Sequence, residues 1–191
     1  MLNVVLFGPP GAGKGTQSEI LREKYSLVHI STGDVFRMHI KGATELGTLA
    51  KSFMDRGELV PDEVTIGMLR AEVEKHHGAA GFIFDGFPRT SAQAAALDEL
   101  LNSMNTSISG MVALEVNQEE LIERLLNRAK TSGRADDADE NIIRNRIAVY
   151  EKETSPVADY YKSHNKYFGV IGVGDIEKIT QRLCDIIDRL K

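Results

Sequence analysis

Gly8-Pro9-Pro10-Gly11-Ala12-Gly13-Lys14-Gly15-Thr16 is a run whose residue types could hold phosphate. Glycines let successive backbone N–H groups turn inward around phosphate oxygens, a helix opening behind them adds the positive end of its dipole, and Lys14 reaches the outer phosphates. The run follows the apolar stretch Val4 to Phe7 and leads into a helical pattern, the setting that a Walker A loop requires. Gly15 occupies the slot after the lysine where Ser or Thr is usual, and the hydroxyl comes one residue later at Thr16. A nucleoside triphosphate is the ligand this arrangement predicts. Further along, Gly81-Phe82-Ile83-Phe84-Asp85 is an apolar strand ending in a carboxylate. Alone, such an Asp is a turn residue; behind a phosphate loop it becomes the candidate for holding Mg2+. Asn165-Lys166-Tyr167-Phe168 starts like the guanine signature Asn-Lys-x-Asp and fails at its fourth place, which argues against a GTPase.

The arginines stand out because the chain is acidic. Lys plus Arg number 23 against 28 Asp plus Glu, a formal charge of −5, so no global positive field attracts nucleic acid or an anionic membrane, and any phosphate must be held locally. Arg124, Arg128, Arg134, Arg144 and Arg146 bracket a polar stretch at Ala129 to Asp137, while Arg37 and Arg89 follow two strand ends. Phosphoryl transfer needs such a set, since the protein's task is positioning and neutralising charge on phosphate oxygens. Two unit charges at 4 Å attract by about 1 kcal/mol in water and by about 4 at an effective dielectric near 20, so arginines on a closing loop gain strength as water leaves. Arg22, Arg56, Arg70, Arg182, Arg189 and Lys130 read as solvated charges, with Asp136, Asp137, Asp139 and Glu140 available as partners for part of the set.

These residues need a scaffold, and the hydropathy pattern supplies one. Val4 to Phe7, Leu27 to Ile30, Phe82 to Phe84, Met111 to Val116 and Tyr167 to Ile171 are apolar runs alternating with helical stretches, which predicts an α/β fold: a five-stranded parallel sheet with central, buried strands and helices on both faces. Ser31 to Ala80 is longer than one crossover helix needs and predicts an inserted helical lobe. Gln118 to Arg128 reads as a helix, Ala129 to Asp137 as a mobile loop, and a long helix starts near Asp139 with Asp137 and Glu140 as a capping box. Pro156 should kink that helix or restart it. Ile176, Ile179, Leu183, Ile187 and Leu190 recur on one face of a last helix, with Asp175 at its start.

At 191 residues and 42% hydrophobic content the chain suits one domain. Its single cysteine, Cys184, excludes an internal disulfide or a cysteine zinc cluster and suits the cytoplasm. Met1 to Phe7 reads as a strand and not as a signal peptide, no run reaches the ~18 apolar residues of a membrane span, and the Asn105-Thr106-Ser107 sequon carries little meaning without a route to a glycosylating compartment. His76 and His77 lack spaced metal partners, and His29, His39 and His164 read as structural.

Taken together, Gly8 to Thr16, Ser31-Thr32-Gly33-Asp34 with Arg37, Gly57-Glu58-Leu59-Val60, Asp85-Gly86-Phe87-Pro88-Arg89-Thr90 with Gln93, and Thr131-Ser132-Gly133-Arg134 with Asp136-Asp137 resemble the adenylate kinases of the short-lid type, within the nucleoside monophosphate kinase family. Gly-Lys-Gly-Thr is that family's own form of the loop. The resemblance implies a P-loop kinase core, a monophosphate-binding lobe at 31–60, a lid at 128–138, and the reversible reaction of Mg-ATP with AMP to give two ADP. It implies that Gly11, Ala12, Gly13, Lys14, Gly15 and Thr16 cradle ATP, that Arg124 stacks on the ATP adenine with the backbone near Gly174 behind it, and that Asp85 holds Mg2+ through water. Arg37 and Arg89 would clamp the AMP phosphate, and Arg128, Arg134 and Arg146 would surround the reacting phosphates. Thr32, Glu58, Leu59, Val60, Gly86, Phe87, Pro88 and Gln93 would complete the AMP site. No structural zinc, no nucleic acid or membrane partner, and a monomer are the further implications.

Two points stay open at this level. The spacing from Arg134 to the last arginine is one residue longer than the family's usual step, so Arg144 competes with Arg146, which is preferred because Ile147, Tyr150, Thr154 and Pro156 keep register. UMP/CMP kinases share the whole pattern but typically carry Ser-Ala-Gly in place of Ser31-Thr32-Gly33 and Asn in place of Thr90; with Gln93 suited to adenine's edge, AMP is the expected acceptor. An ATP-binding sensor without transfer would have no use for the acceptor arginines.

Overall fold

The computed structural model describes the backbone of residues 1–191 and every side chain except that of Ala135. Five strands, β1 (Leu2–Phe7), β2 (Val28–Ser31), β3 (Gly81–Asp85), β4 (Gly110–Glu115) and β5 (Tyr167–Ile171), form one parallel sheet in the order β2-β3-β1-β4-β5. Among the described residues nine α-helices accompany them: α1 (Lys14–Tyr25), α2 (Thr32–Lys41), α3 (Glu45–Met54), α4 (Asp62–Glu74), α5 (Ser91–Ser103), α6 (Gln118–Ser132), α7 (Glu140–Val149), α8 (Val157–Ser163) and α9 (Ile176–Ile187).

The period-two rule of a strand explains how the sheet is covered on both sides. On β1, Val5 and Phe7 join one core with Phe82, Phe84, Met111 and Ala113 under α4, α5 and α8, while Val4 and Leu6 join a second with Ile83, Val112 and Leu114 under α1, α6, α7 and α9. Strands buried on both faces must be mainly apolar, which is why β1, β3 and β4 read as nearly continuous runs; buried Asn3 in β1 donates its amide to Thr106 and to the Ser107 carbonyl. The expectation of five central strands fails at both ends of the sheet. β2 and β5 are its edges, and Gly169 and Ile171 of β5 are exposed. The first crossover leaves β1 toward β2, whereas the one after β3 passes to β4 on the other side of β1, so the connections diverge beside β1 and leave a crevice at the carboxyl ends of the strands.

Helices α2 and α3 form the bulk of the insertion between β2 and β3, and with the start of α4 they enclose a small core of their own: Phe36, Ala50, Val60 and Met68. Thr44 caps α3 by accepting the Gly47 N–H at 3.0 Å. Two local expectations need correction. Helix α6 does not stop at Arg128 but runs to Ser132, closing on Gly133 in the left-handed region, and a short 3₁₀ turn at Ala135–Asp137 follows. The N-cap of α7 is Asp139, which accepts the Asn141 N–H at 2.8 Å; Asp137 is not a cap. Asp175 stands at the N-cap of α9 without a side-chain capping bond and pairs instead with Lys178 at 2.9 Å. Pro156 acts as expected. After α7 the chain makes a π-turn over Tyr150–Thr154, the Ser155 N–H donating to the Tyr150 carbonyl at 2.7 Å, and α8 restarts behind the proline, whose missing N–H costs nothing there.

Candidate active site

The phosphate loop leaves β1 at Gly8 and enters α1 at Lys14. Gly11 has φ 85°, and a Cβ there would stand 3.0 Å from both the Leu121 carbonyl oxygen and Leu125 Cγ, so only glycine lets the loop lie against α6. Gly13 is the N-cap of α1 and offers no side chain to it, so the first N–H groups of the helix are left for a ligand. The Lys14 ammonium donates to the Gly8 and Pro9 carbonyls at 2.7 and 3.0 Å, folding the side chain over its own loop. Burial drives the Lys14 pKa down to about 8; Asp85 acts upward, and Arg89, Arg146 and Arg128 add to the depression.

Lys14 shares one cleft, about 350 Å³, with Arg37, Arg89, Arg128, Arg134 and Arg146. They arrive from five places: the start of α1, α2, the loop after β3, the end of α6 and the segments around α7. Register alignment at the strand ends accounts for part of this, since Asp85 lies opposite Leu6 on one side and Ser31 on the other. The Arg89 guanidinium is pushed down to about 10 by burial first and then by Arg146, yet stays charged at neutral pH. Half-buried cations that depress one another describe a site short of negative charge, which a polyphosphate would supply.

Of the two competing arginines, Arg146 lines the cleft, whereas Arg144 is exposed and bonds Glu140 one helical turn back at 2.7 and 3.0 Å. Two residues apart on a helix means nearly opposite faces. Arg146 is held by Asp136 and Asp137: its Nη1 donates to the Asp136 carbonyl at 3.0 Å and to Asp137 Oδ1 at 2.6 Å. Arg128 makes a two-pronged contact with the same Asp137 carboxylate, at 2.6 and 2.9 Å. The Asp137 side chain is fully buried, so it serves as a brace fixing two guanidinium planes at once. Gly57 permits this packing from the other side: at φ 73°, a Cβ there would lie 2.9 Å from Arg146 Cγ.

Burial acts to raise the Asp137 pKa, but the hydrogen bonds and charge of Arg128, with Arg146, outweigh it and hold the carboxyl below its ordinary value. A depressed folded-state pKa gives stability that is present above the unfolded carboxylate range and is lost as pH falls through the folded value. Asp137→Asn should therefore lower Tm near neutrality by roughly 4–8 °C, corresponding to about 2 kcal/mol for a charged hydrogen-bonding group, and should reduce the acid-side decline of Tm. A Tm profile against pH for both proteins checks it; overlapping curves would remove the brace.

At the other end of the cleft Thr32, 2% exposed, donates its hydroxyl to the Gly86 carbonyl at 2.9 Å. The same carbonyl accepts Arg89 Nε at 2.7 Å. Gln93, Leu59, Val60, Phe87 and Pro88 line this end with Glu58, whose carboxylate turns to Arg56 at 2.7 Å. Gly11, Gly13, Gly15 and Thr16 line the opposite end, and Ala12 is buried behind them. Arg124 and Gly174 lie outside the cleft's lining; Arg124 bonds Glu120 at 2.8 Å and the Gly172 carbonyl at 3.1 Å, which sets it beside the turn leading to Gly174. Of the arginines read as solvated, Arg22 and Arg56 pair with exposed glutamates, and Arg182 and Arg189 bond backbone carbonyls.

Residue-by-residue reading gives no role to two carboxylates: Asp34, which holds both Arg37 and Arg134, and Asp62, which bonds Thr90 and Gln93. Asp137, offered by the sequence both as a cap and as an arginine partner, is the partner. The His29 side chain is 7% exposed and lies outside the cleft's lining, with its Nε2 3.6 Å from Asp85. Asp85 itself is 8% exposed, lines the cleft and forms no ion pair with a Lys or Arg among the described residues. No cluster of three His, Cys, Asp or Glu side chains suited to a metal occurs among the described residues. A lone carboxylate at the mouth of a phosphate site fits an ion that keeps several waters and takes its remaining ligands from phosphate, as Mg2+ does.

No helix among the described residues is long and apolar enough to cross a membrane. A family model described as adenylate kinase matches residues 6–166. Over the full length of both chains the sequence is 57% identical to an adenylate kinase of Flavobacterium psychrophilum and 57% identical to one of Flavobacterium johnsoniae. It is 50% identical, again over both full lengths, to an adenylate kinase of Parabacteroides distasonis.

Proposed function

The chain belongs to the adenylate kinase family, and from its ATP:AMP phosphotransferase activity we infer how its residues divide the work. The reaction is reversible and gives two ADP. In our reading the loop from Gly11 to Thr16 holds the donor phosphates, with Lys14 as the point charge on the transferred group. Arg37 and Arg89 clamp the acceptor phosphate, and Arg128, Arg134 and Arg146 neutralise the oxygens between donor and acceptor. Arg124 and the backbone at Gly174 border the donor base. Thr32, Gln93 and the segment from Glu58 to Val60 border the acceptor base, with Gly86, Phe87 and Pro88 forming the floor below Arg89. Asp85 would hold Mg2+ through water, and the ion would offset charge on the donor phosphates.

The observation that supports this division is the convergence of Lys14 and five arginines from separate elements on one cleft. Little covalent chemistry is asked of the protein, because in-line transfer depends on alignment and charge. Segment 31–60 acts as the monophosphate lobe and 128–138 as the lid, and closing them over both nucleotides would keep water from the phosphoryl group. We read the protein as a cytoplasmic monomer that carries no structural zinc, consistent with its single, buried cysteine.

Phosphoryl transfer from Mg-ATP to AMP, UMP, CMP and GMP in parallel, with an acceptor-free control for hydrolysis, tests the assignment of the base site. ADP formation should be rapid with AMP and at least ~10²-fold slower with each other acceptor, the scale set by unpaired polar groups in a site built to hydrogen-bond its substrate. Comparable rates with UMP or CMP would overturn Thr32 and Gln93 as the base contacts.

A further inference from the structure

We propose that Asp62 is a specificity-determining positioning residue: it fixes the orientation of the Gln93 amide, and so makes that amide a partner for 6-aminopurines and a mismatch for 6-oxopurines. The proposal rests on the reading of Gln93 as the contact to the acceptor base.

Asp62 is the first residue of α4, half-buried, and both of its carboxylate oxygens are used. Oδ1 accepts from Gln93 Nε2 at 2.8 Å, and Oδ2 accepts the Thr90 hydroxyl at 2.9 Å. Thr90 is itself fixed, because its oxygen accepts the Gln93 backbone N–H at 3.2 Å as the cap of α5. On its other side the Gln93 amide oxygen accepts the Arg89 backbone N–H at 2.7 Å. A carboxylate can only accept and a backbone N–H can only donate. Turning the amide over would set NH2 against N–H and carbonyl against carboxylate, two mismatches at a residue that is 1% exposed. The amide therefore has one sense.

It also has capacity to spare. An amide offers two N–H donors and two lone pairs, and these contacts use one of each, leaving one donor and one acceptor on a side chain that lines the cleft. Adenine presents an acceptor ring nitrogen beside a 6-amino donor, whereas a 6-oxopurine presents a ring N–H donor beside a carbonyl acceptor, the reverse pattern. A freely turning amide could satisfy either base by rotating half a turn. A pinned one serves a single pattern, and because the chain takes AMP, that pattern is adenine's. The alternative role for Asp62 is a negative charge at the amino end of α4, which would stabilise the helix and leave base choice untouched.

The test is kcat/KM for AMP and for IMP, with Mg-ATP as donor, in the unaltered protein and in Asp62→Asn, Asp62→Ala and Gln93→Leu. IMP carries the reversed edge without guanine's extra amino group. Asn keeps the shape of Asp62 but can offer N–H to Gln93, and Ala removes the acceptor at a helical position it favours. Both Asp62 variants should lose at least ~10-fold of the AMP-over-IMP preference, mainly through KM for AMP, as expected when one of two opposing pins is released. Their ATP affinity should stay within about twofold of the original, because Asp62 is not among the residues that line the cleft and bonds no residue of the donor loop. An AMP-to-IMP ratio unmoved in both Asp62 variants, while Gln93→Leu lowers it, overturns the proposal and leaves Gln93 as the base contact. A ratio unmoved by Gln93→Leu overturns the base contact and the proposal with it.

Discussion

Arg89→Ala should lower turnover with ATP and AMP by at least ~10²-fold in a protein that remains folded. Arg89 is half-buried and feels the charge of Arg146, its Nε is anchored on the Gly86 carbonyl at 2.7 Å, and its guanidinium is already lowered to about 10 by desolvation and by like charge. A cation kept under those conditions costs folding free energy, so its removal should not weaken the fold and can raise Tm slightly. The loss should appear in kcat as well as in KM for AMP, since the charge it neutralises grows as the phosphoryl group moves. Steady-state kinetics beside a melting curve decide the matter. Turnover near the original value in a folded Arg89→Ala protein would take Arg89 out of the clamp.

The second large effect concerns Lys14. Lys14→Met should reduce turnover by roughly 10³-fold, because the ammonium is the only cation mounted on the donor loop itself. A dependence on pH should accompany it. With the ligand-free pKa brought down to about 8, chiefly by burial, Lys14 is protonated below that value and loses its charge as pH rises through it. ATP affinity should then fall between pH ~7 and pH ~9.5 in the original protein, in proportion to the protonated fraction, and stay flat in Lys14→Met. Titration of ATP across that range in both proteins separates the lysine from other groups. Parallel pH profiles would mean that Lys14 does not govern donor binding.

The residues readable in advance were those whose rule is local. A phosphate loop is a contiguous string, a doubly covered strand is a contiguous apolar run, and a proline ending a helix acts on its neighbours, so β1, β3, the loop and the restart at Pro156 could be read from the chain. Strand order is not local, and nothing in Tyr167 to Ile171 marks it as an edge: Val170 enters one core and Tyr167 packs against the other, yet Gly169 and Ile171 are exposed. Asp137 shows how a local rule misleads. Asp137 and Glu140 have the spacing of a capping box, but two arginines on two helices, nine residues to either side, outbid the cap for that carboxylate. Asp139, with no rival partner, takes the N-cap instead. Asp62 lies 28 residues from Thr90 and 31 from Gln93, and only the return of α5 against α4 brings them together.

Asp34 gives the cleft one more property. Its carboxylate holds Arg37 at 2.5 Å and Arg134 at 3.4 Å, so a side chain from the lobe and one from beyond α6 meet on a single oxygen. Burial opposes its charge, but the bonds and charge of Arg37, with Ser31 and Arg134, keep the carboxyl ionised below its ordinary range. It serves as a resident counter-anion. In the proposed division of roles, a nucleotide phosphate reaching these guanidiniums would exchange with a partner already present, and the ordering of two long, flexible side chains would largely be complete before it arrived. What the ligand adds is geometry, a tetrahedral anion where a planar one stood, and the carboxylate it displaces is free to follow whichever arginine moves.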